Sequence, residues 1–341
     1  MSRNSAQRKH DLTADSAQKE LVKLIQSFSY GHHLHTVFSD FVEMNALAIS
    51  NSVDRALFEA REKRYLDIVG KYKREEVERF PQMLGLLVES FEQRVAVIRK
   101  ETAGSLPVSG GLTDVLGETY MMLGLGNDRA GQFFTPYSVS RMMSMMLMGD
   151  VGAEVERRGF IRVHEPACGA GGMVIAAADS ILAAGQNYQQ TMHATCIDID
   201  PCCVHMTYVQ LSLLHIPATV VHGNALSMEV WGTWYTPAHI LGGWTFKLRR
   251  RLEADLLRAA VAVKQQSEVD QAETPAVVAE AAAVAEAEAS DVAVLERETS
   301  ATTAAPAGRE ATSLAELFEQ SLASGTRDRT VFDTIDQLTL F

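Results

Sequence analysis

Four short stretches of this sequence carry side chains and backbone that could do chemistry. The first is Gly131-Gln132-Phe133-Phe134-Thr135-Pro136, with two aromatic faces flanked by hydrogen-bonding side chains. The second is Glu165-Pro166-Ala167-Cys168-Gly169-Ala170-Gly171-Gly172, a carboxylate followed by a run of small residues. The third is Asp198-Ile199-Asp200-Pro201, and the fourth is Gly223-Asn224-Ala225-Leu226. Glycines let a backbone take φ > 0 and come close to a ligand. The free amides of a helix start favour an electronegative group. A paired carboxylate suits ribose hydroxyls. Together these types suit a nucleoside-like ligand. The spacing is not G-x-G-x-x-G, so the dinucleotide fingerprint is not met.

The elements around these stretches follow from periodicity. Ile161 and Val163 alternate before Glu165, and Met173, Val174, Ala177 and Ile181 recur at helical spacing after Gly172. That pattern predicts strand, glycine turn and helix. The helix is expected over Met173–Ala184, a second strand over His193–Ile197 and a third over Thr219–Val221. Asp198 competes with Asp200 for the ligand; Asp200, just before Pro201, suits a helix cap, which leaves Asp198 for the ligand. Asn224 reads equally as a ligand contact and as a plain turn residue.

With all four stretches in order, the chain resembles the N6-adenine DNA methyltransferases, and within them the modification subunits of type I restriction systems. The resemblance covers roughly residues 30–245 and rests above all on GQFFTP and EPACGAGG. It implies a Rossmann-like α/β sheet that binds S-adenosylmethionine, preceded by a helical domain; only about forty residues separate Asn224 from low-complexity sequence, so the sheet is expected to be reduced. It implies Gln132, Phe133, Phe134, Thr135 and Pro136 as one wall of the cofactor site. Glu165 would meet the cofactor's ammonium group, while Ala167, Gly169, Ala170 and Gly171 pass under its methionine part. Asp198 would hold the ribose, and Asn224 the adenine amine. It also implies DNA as substrate, bound directly or through a partner, and a specificity-type subunit.

The resemblance stops where base chemistry should begin. The family uses an Asn-Pro-Pro-Tyr/Phe segment to hold the target amine and stack on the flipped base. This chain has no Pro-Pro dipeptide and no Asn after Asn224. The nearest stand-in is Tyr235-Thr236-Pro237-Ala238-His239, and the Trp231-Gly232-Thr233-Trp234 before it makes a poor buried strand. No catalytic residue is assigned. The alternative is a non-catalytic cofactor-binding protein that joins replication or modification complexes.

The rest of the chain sets the frame. The expected organisation is a helical domain over 1–130, a cofactor domain over 131–264, a low-complexity acidic linker over 265–330 and a tail over 331–341. Residues 17–100 read as helices, with Pro81 closing one of them. Glu59–Lys63 and Glu75–Arg79 are spaced for ion pairs along a solvated helix face. Met142, Met143, Met145, Met146 and Met148 read as core packing. The net charge is −12, from 31 Lys/Arg against 43 Asp/Glu. Residues 261–341 hold 5 and 15 of these, which leaves a body near neutrality. Residues 265–312 lack aromatics and read as disordered. The chain's four cysteines show no metal-ligand spacing, and no apolar run reaches membrane-spanning length. Both point to a reduced, cytoplasmic protein without metal. The final Gln337-Leu338-Thr339-Leu340-Phe341 resembles the peptide by which bacterial proteins bind the DNA polymerase sliding clamp. It reads equally as an apolar terminus docked on the protein's own body.

Overall fold

A computed structural model describes residues 14–102, 111–126, 134–264 and 338–339. Residues 14–245 and 338–339 belong to one compact unit, and residues 246–264 to a second.

In the first unit the helical half comes first. It comprises α1 (Ser16–Gln26), α2 (Leu34–Val53), α3 (Phe58–Val69), a single turn α4 (Arg74–Val77), α5 (Arg79–Thr102) and α6 (Val115–Met122). Asp15 caps α1 by accepting from the Gln18 amide at 2.7 Å. Pro81 does not close a helix: it lies in the first turn of α5, where a missing N–H leaves no bond unmade. The basic residues of α3 and its flank pair across to α2 and the α2–α3 turn. Arg64 grips Glu43 at 2.6 and 2.8 Å, Lys71 meets Asp40 at 2.9 Å, and Arg61 meets Asp54 at 2.7 Å. The expected solvated charge face is therefore in part a seam between helices.

Two helices, α7 (Tyr137–Leu147) and α8 (Val151–Arg158), lead into the sheet. On α7 the buried positions are Tyr137, Ser140 and Ser144, while Met142, Met145 and Met146 face solvent. The methionines expected in the core are thus in large part exposed, because α7 turns its small hydroxyl residues inward. Ser144 and Ser180 sit 2.9 Å apart there, a spacing too close for a methionine between the helices.

The sheet contains β1 (Ile161–Glu165), β2 (Met192–Asp198), β3 (Ala218–Asn224), β4 (Glu229–Tyr235) and the two residues of β5 (Leu338–Thr339), in the order β4-β3-β2-β1-β5. β1, β2 and β3 are parallel. Their crossovers run through α9 (Gly172–Ala183) with the short α10 (Tyr188–Thr191), then through α11 (Pro201–Leu213). This is the expected Rossmann-like arrangement with a reduced sheet. α11 is buried nearly all round, since it lies between the sheet and α2. That double cover explains why its sequence shows no polar stripe.

Trp231–Trp234 does form a strand. β4 runs antiparallel to β3 at the sheet's edge and is mostly half-exposed, so it need not be apolar on both faces. After it come α12 (Pro237–Leu241) and a helix over residues 244–264. Within that helix Arg249 pairs with Glu253 and Arg251 with Asp255, four residues apart.

β5 pairs parallel to β1, Val163 against Leu338 and His164 against Thr339. Of the two readings of the terminal peptide, the pairing of these two residues follows docking on the body. Gln337, Leu340 and Phe341 lie outside the described residues, as does the linker expected to be disordered. Among the described residues no helix is long and apolar enough to cross a membrane, and no cluster of side chains is arranged to hold a metal ion.

Candidate functional site

The parallel register places Glu165, Asp198 and Asn224 at the same end of the sheet. Glu165 pairs with Cys196, two residues short of Asp198, and Asp198 pairs with His222, two short of Asn224. These are the carboxyl ends of three adjacent parallel strands, where open α/β sheets bind ligands.

The glycine turn hangs between β1 and α9. Gly169 has φ of 54° and Gly171 has φ of 90°, the region in which a side chain is strained. A Cβ on Gly169 would stand 3.0 Å from the Phe134 ring, and one on Gly171 would stand 3.2 Å from Thr207 Oγ1. Phe134 therefore lies against one side of the turn and α11 against the other. The turn's own polar groups are tied down. The Gly169 amide donates to Asp198 Oδ2 at 2.8 Å, and the Gly169 carbonyl accepts from Thr207 Oγ1 at 2.9 Å. The Ala170 carbonyl accepts from Gln210 Nε2 at 2.8 Å, and the Cys168 amide donates to the Ile197 carbonyl at 2.9 Å.

Glu165 is 1% exposed. Its Oε1 accepts from the Ala167 amide at 3.2 Å, while Oε2 is buried with no hydrogen-bond partner among the described residues. Burial, helped by the nearby Asp198 charge and opposed by the Ala167 amide, pushes its carboxyl up to about 7. A buried acceptor left unpaired is costly, and a cationic donor such as an ammonium group would satisfy it. Asp198 is held by two amides, Gly169 on Oδ2 and Asp200 on Oδ1, and burial raises its carboxyl above the usual range. Asp200 accepts from the Cys202 amide at 2.8 Å and caps α11.

Asn224 Oδ1 accepts from the amides of Leu226 and Ser227, at 2.9 and 3.3 Å. These bonds are those of a turn residue. Thr135 is exposed and Pro136 half-buried ahead of α7. Gln132 and Phe133 lie outside the described residues. Ala167 donates its amide to Glu165, and Ala170 is buried.

The stand-in for the base-binding segment is at the wrong end. Tyr235 pairs with Thr219, at the start of β3, whereas Asn224 at its finish pairs with Glu229. Thr236 is fully buried; it accepts from the Ala218 amide and donates to the Ile216 carbonyl, both at 2.9 Å. His239 is buried against His193 at 2.8 Å. These residues close the bottom of the sheet and cannot reach a ligand at its top.

Sequence reasoning missed Thr207, Gln210 and Asp114, whose side chains support the turn from below. It also missed Ile199, which stands 60% exposed at the tip of β2 beside Asp198. An apolar residue between two aspartates was the available signal.

The sequence model of the N-6 DNA Methylase family matches residues 113–241. Over this stretch the chain resembles the N-6 DNA methylases. The matched stretch begins at the residue before Asp114 and takes in the glycine turn, Asp198 and Asn224. No curated protein matches the chain. Two solved structures share limited similarity. One is described as a class I S-adenosylmethionine-dependent methyltransferase of Listeria monocytogenes: 14% identity and a TM-score of 0.32, covering 62% of this chain and 55% of that one. The other is the methyltransferase subunit of a type I restriction-modification system of Streptococcus thermophilus: 16% identity and a TM-score of 0.30, covering 68% of this chain and 60% of that one. The chain thus spans little more than half the length of either structure.

Proposed function

We propose that this chain carries the S-adenosylmethionine-binding part of an adenine N6 DNA methyltransferase, and that the target-base contacts come from outside it. The observation that carries the reading is the buried Oε2 of Glu165, without a hydrogen-bond partner among the described residues, beside a glycine turn whose far side is fixed by Asp198. The donor set suits that cofactor. Glu165 offers an anion to its ammonium group, and Asp198 keeps lone pairs for ribose hydroxyls. Gly169 and Gly171 leave no Cβ in the way, and Phe134 and Ile199 offer apolar faces. Bound there, the cofactor would supply an electrophilic methyl group for an exocyclic amine. This chain's residues would bind and orient it and, with Phe134 over the turn, keep water from its methionine part.

Base binding has to come from elsewhere. The chain lacks an Asn-Pro-Pro-Tyr/Phe segment, and Tyr235–His239 lies at the opposite end of β3 from the turn. A specificity-type subunit, DNA as substrate and a cytoplasmic setting belong to the same proposal. Isothermal titration with S-adenosylmethionine tests it: the expected result is saturable binding that Asp198→Ala abolishes. Unchanged affinity in that variant refutes the assignment of Asp198. Plasmid DNA challenged with methyl-sensitive nucleases then separates the two functional readings. Cofactor binding with adenines left unmodified under every partner tried favours the non-catalytic protein.

A further inference from the structure

The helix α6 reaches the glycine turn from two sides. At its start, Asp114 caps it, with Oδ1 accepting from the Gly117 amide at 2.7 Å and from Gln210 Nε2 at 2.7 Å. Gln210 is fully buried, and its Oε1 accepts from the Leu116 amide at 3.1 Å. Its other Nε2 hydrogen goes to the Ala170 carbonyl at 2.8 Å. Both of its donors and its acceptor are therefore used, so its amide has one orientation. Two positions on, Asp114 Oδ2 lies 3.2 Å from where a Cβ on Gly172 would stand. Further along the same helix, Tyr120 packs on Phe134 with ring centroids 5.2 Å apart, and Phe134 lies against Gly169. One helix of the helical half thus contacts the turn from below through Gln210 and from above through Phe134.

We infer that Gln210 and Asp114 are positioning residues, which lock the glycine turn to α6 and so make the site's shape depend on the helical half. For their effect on cofactor binding, this rests on the reading proposed above. Nothing in the spacing of EPACGAGG requires such a lock; Thr207 and Asp198 already tie Gly169. Without Gln210 the Ala170 carbonyl loses its donor, and the turn is held only on its β1 side, at Cys168 and Gly169.

The full chain without ligand gives a test that does not depend on S-adenosylmethionine. Hydrogen–deuterium exchange in the peptide spanning residues 167–175 is compared between the wild type, Gln210→Met and Asp114→Ala. Gln210→Met keeps the length of the side chain and removes its donors; Asp114→Ala removes one of the two bonds between Gln210 and the α6 side, leaving that from the Leu116 amide, without touching the sheet. At least tenfold faster exchange in the turn, with β2 and β3 peptides unchanged, is expected in both. Asp114→Asn, which keeps the acceptor oxygen, is expected to restore most of what Asp114→Ala loses. Turn exchange within twofold of wild type in both variants overturns the inference. So does acceleration spread evenly over the sheet, which is what a purely structural role predicts. In titrations, Gln210→Met is expected to weaken S-adenosylmethionine binding at least tenfold. A wild-type chain that does not bind the cofactor defeats the functional proposal and leaves the exchange result to decide this one.

Discussion

Glu165 is the residue on which pH should act most directly. Its carboxyl is raised to about 7 by burial, so the free protein holds it partly neutral near pH 7. Pairing with an ammonium group requires the ionised form. Affinity for S-adenosylmethionine is therefore expected to rise as pH goes from about 6 to about 8, with a proton released on binding near pH 6.5. Calorimetry in two buffers of different ionisation enthalpy measures that proton. Stability runs the other way. A carboxyl whose folded value lies above its unfolded one makes the folded state the better proton binder, so its contribution falls as pH rises from about 4.5 to about 7. Asp114, raised to about 6 by burial, adds in the same direction over its own lower window. Gly171→Ala is the complementary backbone test. At φ of 90°, with Thr207 3.2 Å from the new Cβ, it is expected to cost about 1–3 kcal/mol in unfolding experiments and to weaken any binding of S-adenosylmethionine.

At the scale of elements, the bottom of the sheet is fastened by groups that need to stay neutral. His193 on β2 and His239 on α12 share a 2.8 Å hydrogen bond, His239 reaches Thr245 Oγ1 at 3.0 Å, and Trp244 packs on His193. Burial holds both rings below the usual histidine range, His239 down to about 4 and His193 well below that range. A depressed base gives stability that is present above its unfolded value, near 6.5, and is lost as pH falls. The denaturation midpoint is expected to drop between about pH 6.5 and pH 4, and His239→Phe to flatten that drop. Thr236→Ala, which removes a buried cap and two further bonds, is expected to cost about 1–3 kcal/mol by chemical denaturation while leaving the Asp198 end of the sheet intact.

For the molecule as a whole, the outer edge of β1 matters most. Four of its five residues are buried, as in an interior strand, yet its only partner on that side among the described residues is Leu338–Thr339. Such edges invite pairing with another chain. Deleting residues 337–341 is expected to speed hydrogen exchange in the peptide over Ile161–Glu165. If exchange there does not change, the terminal peptide is not a strand of this sheet in solution, and binding of a partner such as the sliding clamp becomes its better use. Arg61 shows how the helical half also grips the opposite edge: its guanidinium pairs with Asp54 and lies 4.9 Å over the Trp234 ring of β4.

What the sequence determined by itself was the local order around the glycine turn. Alternation before Glu165, small residues through Gly172 and apolar spacing beyond it depend on neighbours a few positions apart, so strand, turn and helix were legible, as was the Asp200 cap. Three features were not. The solvent side of the α7 methionines depends on which face Ser140 and Ser144 turn to α9. The β4 strand exists because β3 offers it an edge, whatever its own pattern. The lock under the turn joins Asp114, Ala170 and Gln210, which the chain separates by many residues and only the packing of α6 against α11 brings within hydrogen-bond reach. Short-range periodicity fixes which way each backbone segment runs; the meeting of distant polar groups is decided by how whole helices come to rest.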